Sequence, residues 1–310
     1  MTALICGSIA FDTVMVFPGR FRDHILPDRI HLLNVSFLVP SMRRNFGGCA
    51  GNIACNLGLL GGAGVPMATV GHDFGPYEAW LRERSVDLSQ VRVVEGEFTA
   101  QAFITTDLDD NQITAFHPGA MNQSHLNHIS QVSGCTLGLV APDGREGMVR
   151  HATQFAEAAI PMLFDPGQGL PMFEGAELLD FIGKSTWVAV NDYEGQLLSE
   201  RTGLSHRAIA SRVRALVVTK GADGSVIHAG GREHLIPVAA PQAVVDPTGC
   251  GDAYRAGLLF GLMNGLDWET TGRVASLMGA IKIAHAGTQA HSFTMDEFRD
   301  RFRAAFGRAL

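Results

Sequence analysis

Asp246-Pro247-Thr248-Gly249-Cys250-Gly251-Asp252 runs directly into the apolar stretch 253–262. Two glycines flanking a small residue let consecutive backbone N–H groups converge, and the apolar stretch predicts a helix that begins there. A helix N-terminus carries unpaired amides and the positive end of the helix dipole, so it holds anionic oxygens. Asp252, on the first turn, is placed to take a proton from a hydroxyl beside them. Those are the parts that phosphoryl transfer requires. The same residues also read as a plain strand-to-helix turn with Asp252 as a capping carboxylate, and residue types alone leave both readings open.

Three other segments carry similar chemistry. Phe46-Gly47-Gly48-Cys49-Ala50-Gly51-Asn52 puts a glycine pair at a second helix entrance. The glycines let backbone approach a polar ligand, and the Asn52 amide offers hydroxyls both a donor and an acceptor; close helix packing is the competing explanation. Val217-Val218-Thr219-Lys220-Gly221 leaves a strand at a glycine turn. There the Thr219 hydroxyl and nearby amides can meet a nucleotide, or the segment is an ordinary strand exit. Asn191-Asp192-Tyr193-Glu194 follows a predicted strand, so Asn191 as a cap puts Glu194 at the N3 position of a capping box. The same amide and carboxylate can order water around Mg²⁺, a hard ion that keeps several waters, and the two roles are compatible.

The elements that must position these residues alternate along the chain. Residues 3–5 form a short strand ending at Gly7-Ser8, with Asp12 just past the strand end, where open α/β sheets bind ligands. Residues 13–45 change texture, with short β stretches at 14–17, 30–33 and 37–39 broken by Pro, Gly and Asp. A buried helix at 50–60 and a strand at 67–70 follow. The runs 101–105 and 112–116 flank a turn at 107–111 and predict a hairpin. Beyond Pro118 come strands at 137–140, 162–164, 187–190, 216–219 and 225–228, with helices at 149–159 and 175–183. Strands alternating with helices imply an α/β fold, a doubly wound and mainly parallel sheet. The expected organisation is a large α/β catalytic domain of residues 1–12, 46–98 and 119–310, carrying a small β-sheet lid of residues 13–45 and 99–118.

Composition narrows the function. A chain of 310 residues, 46% hydrophobic, buries a large core, and a net charge of −7 supplies no general basic footprint for nucleic acid. Five cysteines, an odd number without a Cys-x-x-Cys pair, read as reduced buried thiols. Twelve histidines are scattered without metal-ligand spacing. No segment reads as a leader or reaches the apolar length of a membrane span, so the cytoplasm is the expected location and no membrane partner is expected.

Taken together, Gly47-Gly48-x-x-Gly51-Asn52, Asn191-x-x-Glu194 and Asp246-x-Thr-Gly-x-Gly-Asp252 resemble, in order, the motifs of the ribokinase-like carbohydrate and nucleoside kinases, the PfkB family. The resemblance spans essentially the whole chain. Gly7-Ser8-Ile9-Ala10-x-Asp12, Phe116-His-Pro-Gly-Ala-Met121 and Asp246-Pro-Thr248 are most similar to its bacterial adenosine and nucleoside kinases. Cys250 stands where alanine or valine is common, a change among small residues.

The resemblance implies ATP-dependent phosphorylation of a purine nucleoside, adenosine first, at the 5′-hydroxyl. It makes Asp252 the general base and the amides of Gly249, Cys250 and Gly251 the anion hole. Asp12, Asn52 and the Gly48 backbone would fix the ribose; Phe103 and Phe116 would stack on the base, with Ser8, Ser36 and Gln168 as polar readers. ATP would meet Asn191, Thr219, Gly221, Gly249 and Gly251. Mg²⁺ would be held near Glu194 through water, and a monovalent cation such as K⁺ by Asp246 and the Thr248 carbonyl. A homodimer through the lid is expected from relatives. The alternatives are a broad inosine and guanosine kinase, a ribokinase- or fructokinase-type sugar kinase, and a catalytically silent nucleotide-binding regulator.

Overall fold

The computed structural model describes residues 1–25, 34–109 and 111–310. Strand β1 (Thr2–Cys6) has four of its five residues buried, as a strand covered by helices on both faces must. The chain then runs through β2 (Ala10–Val16) and β3 (Ser41–Gly47) before α1 (Cys49–Leu59), β4 (Ala63–Val70), α2 (Gly75–Glu83) and β5 (Val91–Val93). A hairpin of β6 (Ala100–Thr106) and β7 (Gln112–His117) follows. From there strand and helix alternate: β8 (Cys135–Val140), α3 (Arg145–Glu157), β9 (Met162–Phe164), α4 (Gly175–Lys184), β10 (Trp187–Asn191), α5 (Asp192–Thr202), α6 (His206–Ala210) and β11 (Ala215–Thr219). An antiparallel pair, β12 (Ser225–Ala229) and β13 (Arg232–Ile236), precedes the helices α7 (Cys250–Met263), α8 (Trp268–Ile283) and α9 (Met295–Phe306).

Two sheets result. The large one orders its nine strands β13-β12-β11-β10-β9-β8-β1-β4-β5, parallel from β11 to β5 and antiparallel at the β12 and β13 edge. Alternate residues of its strands face opposite layers. Ile5 and Leu139 meet Ile53 and Leu57 of α1 and Leu258 and Leu259 of α7. Leu4 and Val140 meet Met148 and Phe155 of α3, Ile182 of α4 and Leu198 of α5. Each such buried side chain contributes about 1.5–3 kcal/mol relative to leaving it in water. Helices α7 and α8 close tightly because Gly257 has no Cβ; one there would strike the Ala275 backbone.

The small sheet orders its four strands β3-β2-β6-β7 and is mixed, with β2 antiparallel to β3 and parallel to β6. Two expectations change here. Asp12, expected just past the end of β1, lies within β2, which is paired on both edges. No strand forms at 37–39; Phe37 instead packs against Phe17 and Phe21. The expected stretch at 30–33 lies outside the described residues. Strand β3 was hidden because its sequence is polar and mostly exposed, so backbone pairing to β2 rather than side-chain alternation defines it.

Among the described residues no helix is long and apolar enough to cross a membrane. All six residues of β7 are exposed, and among the described residues its outer edge pairs with no strand, which suits it to pairing with a second copy. The homodimer expected through this sheet is checked by sedimentation. It predicts twice the 33.2 kDa mass of the chain, falling to one chain in Ile113→Lys; a single-chain mass for the unaltered protein counts against it.

Candidate active site

The carboxyl ends of β9, β10 and β11 face the start of α7. Asp165 follows β9 directly, and the last residues of β10 and β11, Asn191 and Thr219, are partners in register. This is the edge at which open α/β sheets bind ligands. Helix α7 begins with Gly249 as its cap residue, in the left-handed region at φ 78° and with no side chain to satisfy the first-turn amides. The Cys250 amide turns back to the Pro247 carbonyl at 3.2 Å. Among the described residues the amides of Gly249 and Gly251 have no such partner, which reduces the expected three-amide anion hole to two.

Asp252 stands third in α7 and accepts a 2.7 Å hydrogen bond from Nδ2 of Asn52 on α1. Burial pushes its carboxyl up to about 7, against the Asn52 bond, which favours the charged form. Asn52 is buried, and its Oδ1 accepts from Nε2 of Gln289 at 2.8 Å. It therefore orients Asp252, and both ends of the amide, expected to bind hydroxyls, are already engaged. Gln289 in turn accepts the Trp80 indole N–H at 2.9 Å through Oε1. Gln289 also donates to the Tyr77 hydroxyl, which donates to the Gly47 carbonyl at 2.9 Å.

Asp12 lies against Gly47, where a Cβ would collide with its carboxylate. Burial first, then the charge of Asp246, push Asp12 up to about 6. Gly48, at φ 86°, caps α1 so close to Ser8 and Ala10 that no side chain fits. Ser8 is buried and its Oγ accepts the Cys49 amide at 3.1 Å, supplying the cap that Gly48 cannot.

On the other side of Asp252, Arg255 reaches Asp165 through two contacts of 3.0 Å, with both side chains almost fully buried. Asn191 and Glu194 form the capping box: Asn191 Oδ1 accepts the Glu194 amide, and Glu194 Oε2 accepts the Asn191 amide, both at 2.8 Å. Burial and then Asp165 raise the Glu194 carboxyl above its ordinary range. Gly221, at φ 56°, opens the turn after β11. In the turn before α7, Asp246 accepts the amides of Thr248 and Gly287 at 2.9 and 2.8 Å. Against the cost of burial these bonds hold its carboxyl below the usual range.

Residues 12–295 match the pfkB family carbohydrate kinase. The chain belongs to that family. It is similar to the nucleoside kinase of Methanocaldococcus jannaschii, 32% identical over 270 residues that cover 86% of this chain and 89% of that one. The structure of Burkholderia thailandensis nucleoside kinase in complex with inosine superposes with a TM-score of 0.91 at 52% identity, covering 99% of each chain. The same protein in complex with ADP-inosine gives 0.88 at 54% identity, over 99% of this chain and 97% of that one. The family member described here is thus a phosphotransferase.

The residues expected to read a base are not all together. Phe116 pairs with Ala102 and Phe103 with Ala115, and Asp12 also pairs with Ala102. Neighbouring residues of a strand face opposite ways, so Phe116 shares the Asp12 face and Phe103 points to the other. The two phenylalanines cannot stack on one base from this sheet. Ser36 is exposed beside the small sheet's aromatic cluster, and Gln168 is exposed in the turn after β9, three residues beyond Asp165. Among the described residues no three His, Cys, Asp or Glu side chains converge as a metal cluster.

Sequence reasoning missed Arg255, Gln289, Trp80 and Lys282. A signal existed for Arg255 and Lys282, since each is a lone charge in an apolar helical run. Gln289 and Trp80 carried none. Arg255→Met and Asp165→Asn each leave a charge buried without its partner and are expected to cost about 3–5 kcal/mol by urea denaturation. The double variant Asp165→Leu with Arg255→Met is expected to cost clearly less than the two together. A single variant costing under about 1 kcal/mol would show that the pair does not hold α7.

Proposed function

We propose that this phosphotransferase moves the γ-phosphoryl group of ATP to the 5′-hydroxyl of a purine nucleoside, with Asp252 as the general base. The observation that carries the reading is the 2.7 Å Asn52–Asp252 contact beside the uncapped amides of α7. It puts a proton acceptor and an anion-binding helix end within one turn of backbone. Asp252 takes the hydroxyl proton as the oxygen attacks phosphorus, while the Gly249 and Gly251 amides meet the charge on the transferred group. Positioning and electrostatics carry most of such a reaction.

Asp12, for which no hydrogen bond among the described residues offsets burial, is suited to accept two bonds from a vicinal diol. That favours a ribose with both hydroxyls free. Phe116, on the Asp12 face, is the aromatic that can reach the base, and the Ser8 hydroxyl retains a proton to donate. Gln168 both donates and accepts, so it serves adenine or a 6-oxopurine. The inosine complexes of the Burkholderia relative favour extending the acceptor range from adenosine to inosine.

Thr219, Asn191 and Gly221 line the nucleotide side. The donor set there fits Mg²⁺ in one respect: the capping box uses only Oε2 of Glu194, leaving Oε1 for an ordered water of a hard ion that needs few protein ligands. Held there through water by Glu194 beside Asn191, such an ion would supply positive charge to offset the charge that develops on the transferred group. The small sheet, carrying Asp12 and Phe116, is suited to close over the nucleoside and keep water from the γ-phosphate.

Asp252→Asn is expected to lower kcat by about 10²-fold to 10⁴-fold while nucleoside binding, read by calorimetry, stays within a few-fold. Because the base must be ionised, kcat/KM should rise with pH to a plateau, with its midpoint near the Asp252 value of about 7. Near-normal turnover in the variant, or a flat profile through that region, removes Asp252 from the role. Acceptor identity is decided separately by kcat/KM for adenosine, inosine, guanosine and ribose. Purine nucleosides are expected to exceed ribose; a preference for free ribose overturns the nucleoside reading, and no turnover with any acceptor supports a regulator.

A further inference from the structure

Lys282, in the last turn of α8, is fully buried in an otherwise apolar run. Its Nζ donates to the Asp246 carbonyl at 2.6 Å and to the His285 carbonyl at 3.3 Å, and lies 4.0 Å from Oδ1 of Asp246. The Asp246 carboxylate is otherwise taken by two amides, those of Thr248 and Gly287. These are groups that suit a small monovalent cation: carbonyl oxygens and one carboxylate. The family resemblance assigned a soluble ion such as K⁺ to Asp246 and the Thr248 carbonyl, and the residues present do not fit that assignment. An added ion at Asp246 would lie beside an ammonium already bonded to the Asp246 carbonyl, and two like charges close together in a buried setting repel.

We infer that the Lys282 ammonium takes the place of the monovalent cation in the turn before α7, so that phosphoryl transfer here needs no soluble K⁺. A lysine ammonium is a compact point charge with three donors, which suits it to bridge carbonyls as a small cation does. Bonded to residues 246 and 285, it ties the α7 turn to the end of α8. It also leaves a fixed positive charge beside the anion-binding amides, where charge is worth more than in water. The inference rests on the phosphoryl-transfer reading of that turn only for its catalytic consequence; the cation replacement stands on the contacts.

The test uses the unaltered protein, exchanged into tetramethylammonium chloride and then titrated with KCl at constant ionic strength. ADP formation is read by direct separation, because a coupling enzyme can have its own cation requirement. K⁺ is expected to change kcat by less than about threefold, where a required charge at the transferring group would give on the order of 10²-fold. Thermal denaturation in the same two salts should give the same Tm. A saturable rise of kcat by tenfold or more with K⁺, or a saturable rise in Tm, overturns the inference.

Lys282→Ala then asks whether the charge matters. It should lose on the order of 10²-fold in kcat in tetramethylammonium and recover in part with K⁺, ammonium or propylammonium. Full activity without such ions, or a loss in a folded variant that none of them relieves, overturns the role. Where the variant fails to fold, the Tm and kcat titrations of the unaltered protein decide. Failure of the transfer reading would appear instead as undiminished turnover in Asp252→Asn, leaving the Tm comparison intact.

Discussion

Arg255 reaches from the second turn of α7 to the Asp165 carboxylate at the end of β9, and water has almost no access to either side chain. Taking two charges out of water costs several kcal/mol per ion, and only good geometry with added hydrogen bonds offsets it. Two parallel N–H···O contacts supply that geometry. A well-packed apolar pair would hold α7 about as firmly. What it would not do is leave charge at the sheet edge: Arg255 acts on Glu194 and Asp252, and its Nη1 has no hydrogen-bond partner among the described residues. The pair thus fixes where the first turn of α7 stands and sets the electrostatics around it.

That first turn is left open at a cost. A cap side chain is typically worth about 1 kcal/mol to a helix, and Gly249 offers none. The body of α7 makes the omission tolerable, since Leu258 and Leu259 pack on the large sheet and Gly257 lets α8 close against it. At α1 the same omission at Gly48 is repaired by the Ser8 hydroxyl. Of the two glycine-capped helices, α1 has its cap supplied by Ser8, while among the described residues the Gly249 and Gly251 amides of α7 have no protein partner. The proposed anion-binding role of Gly249 rests on that asymmetry, which local sequence does not carry.

Legibility divides along the same line. Strands of the large sheet were readable because burial on both faces makes them short apolar runs; β9 was placed to the residue. The motifs of the α7 and α5 turns were readable because their backbone geometry demands glycines and a capping box. Strand β3 was not, since its pairing leaves no hydrophobic pattern. The facing of Phe103 and Phe116 was not either. A hairpin can be read from its turn, but which residues share a face depends on register to β2, which lies far away in sequence. Lys282 stood out as a lone charge in an apolar run, but its partners did not, because they are chiefly backbone carbonyls, which every sequence has.

Asn52, expected to bind ribose hydroxyls, has both ends of its amide engaged by protein groups. An amide can turn either end toward a neighbour, and only the surrounding groups decide which. Here the deciding group is the Trp80 indole, which can only donate. It claims Oε1 of Gln289, so Nε2 of Gln289 must face Asn52 and the Tyr77 hydroxyl. The Tyr77 hydroxyl, donating to the Gly47 carbonyl, is left to accept, which agrees with that orientation. Asn52 then has its oxygen occupied and must turn Nδ2 toward Asp252. Reversed, it would aim an oxygen at the carboxylate and favour the protonated form. A donor on α2 thus fixes, through two amides, that Asp252 meets an N–H; burial raises the carboxyl while this chain of bonds favours its charged form.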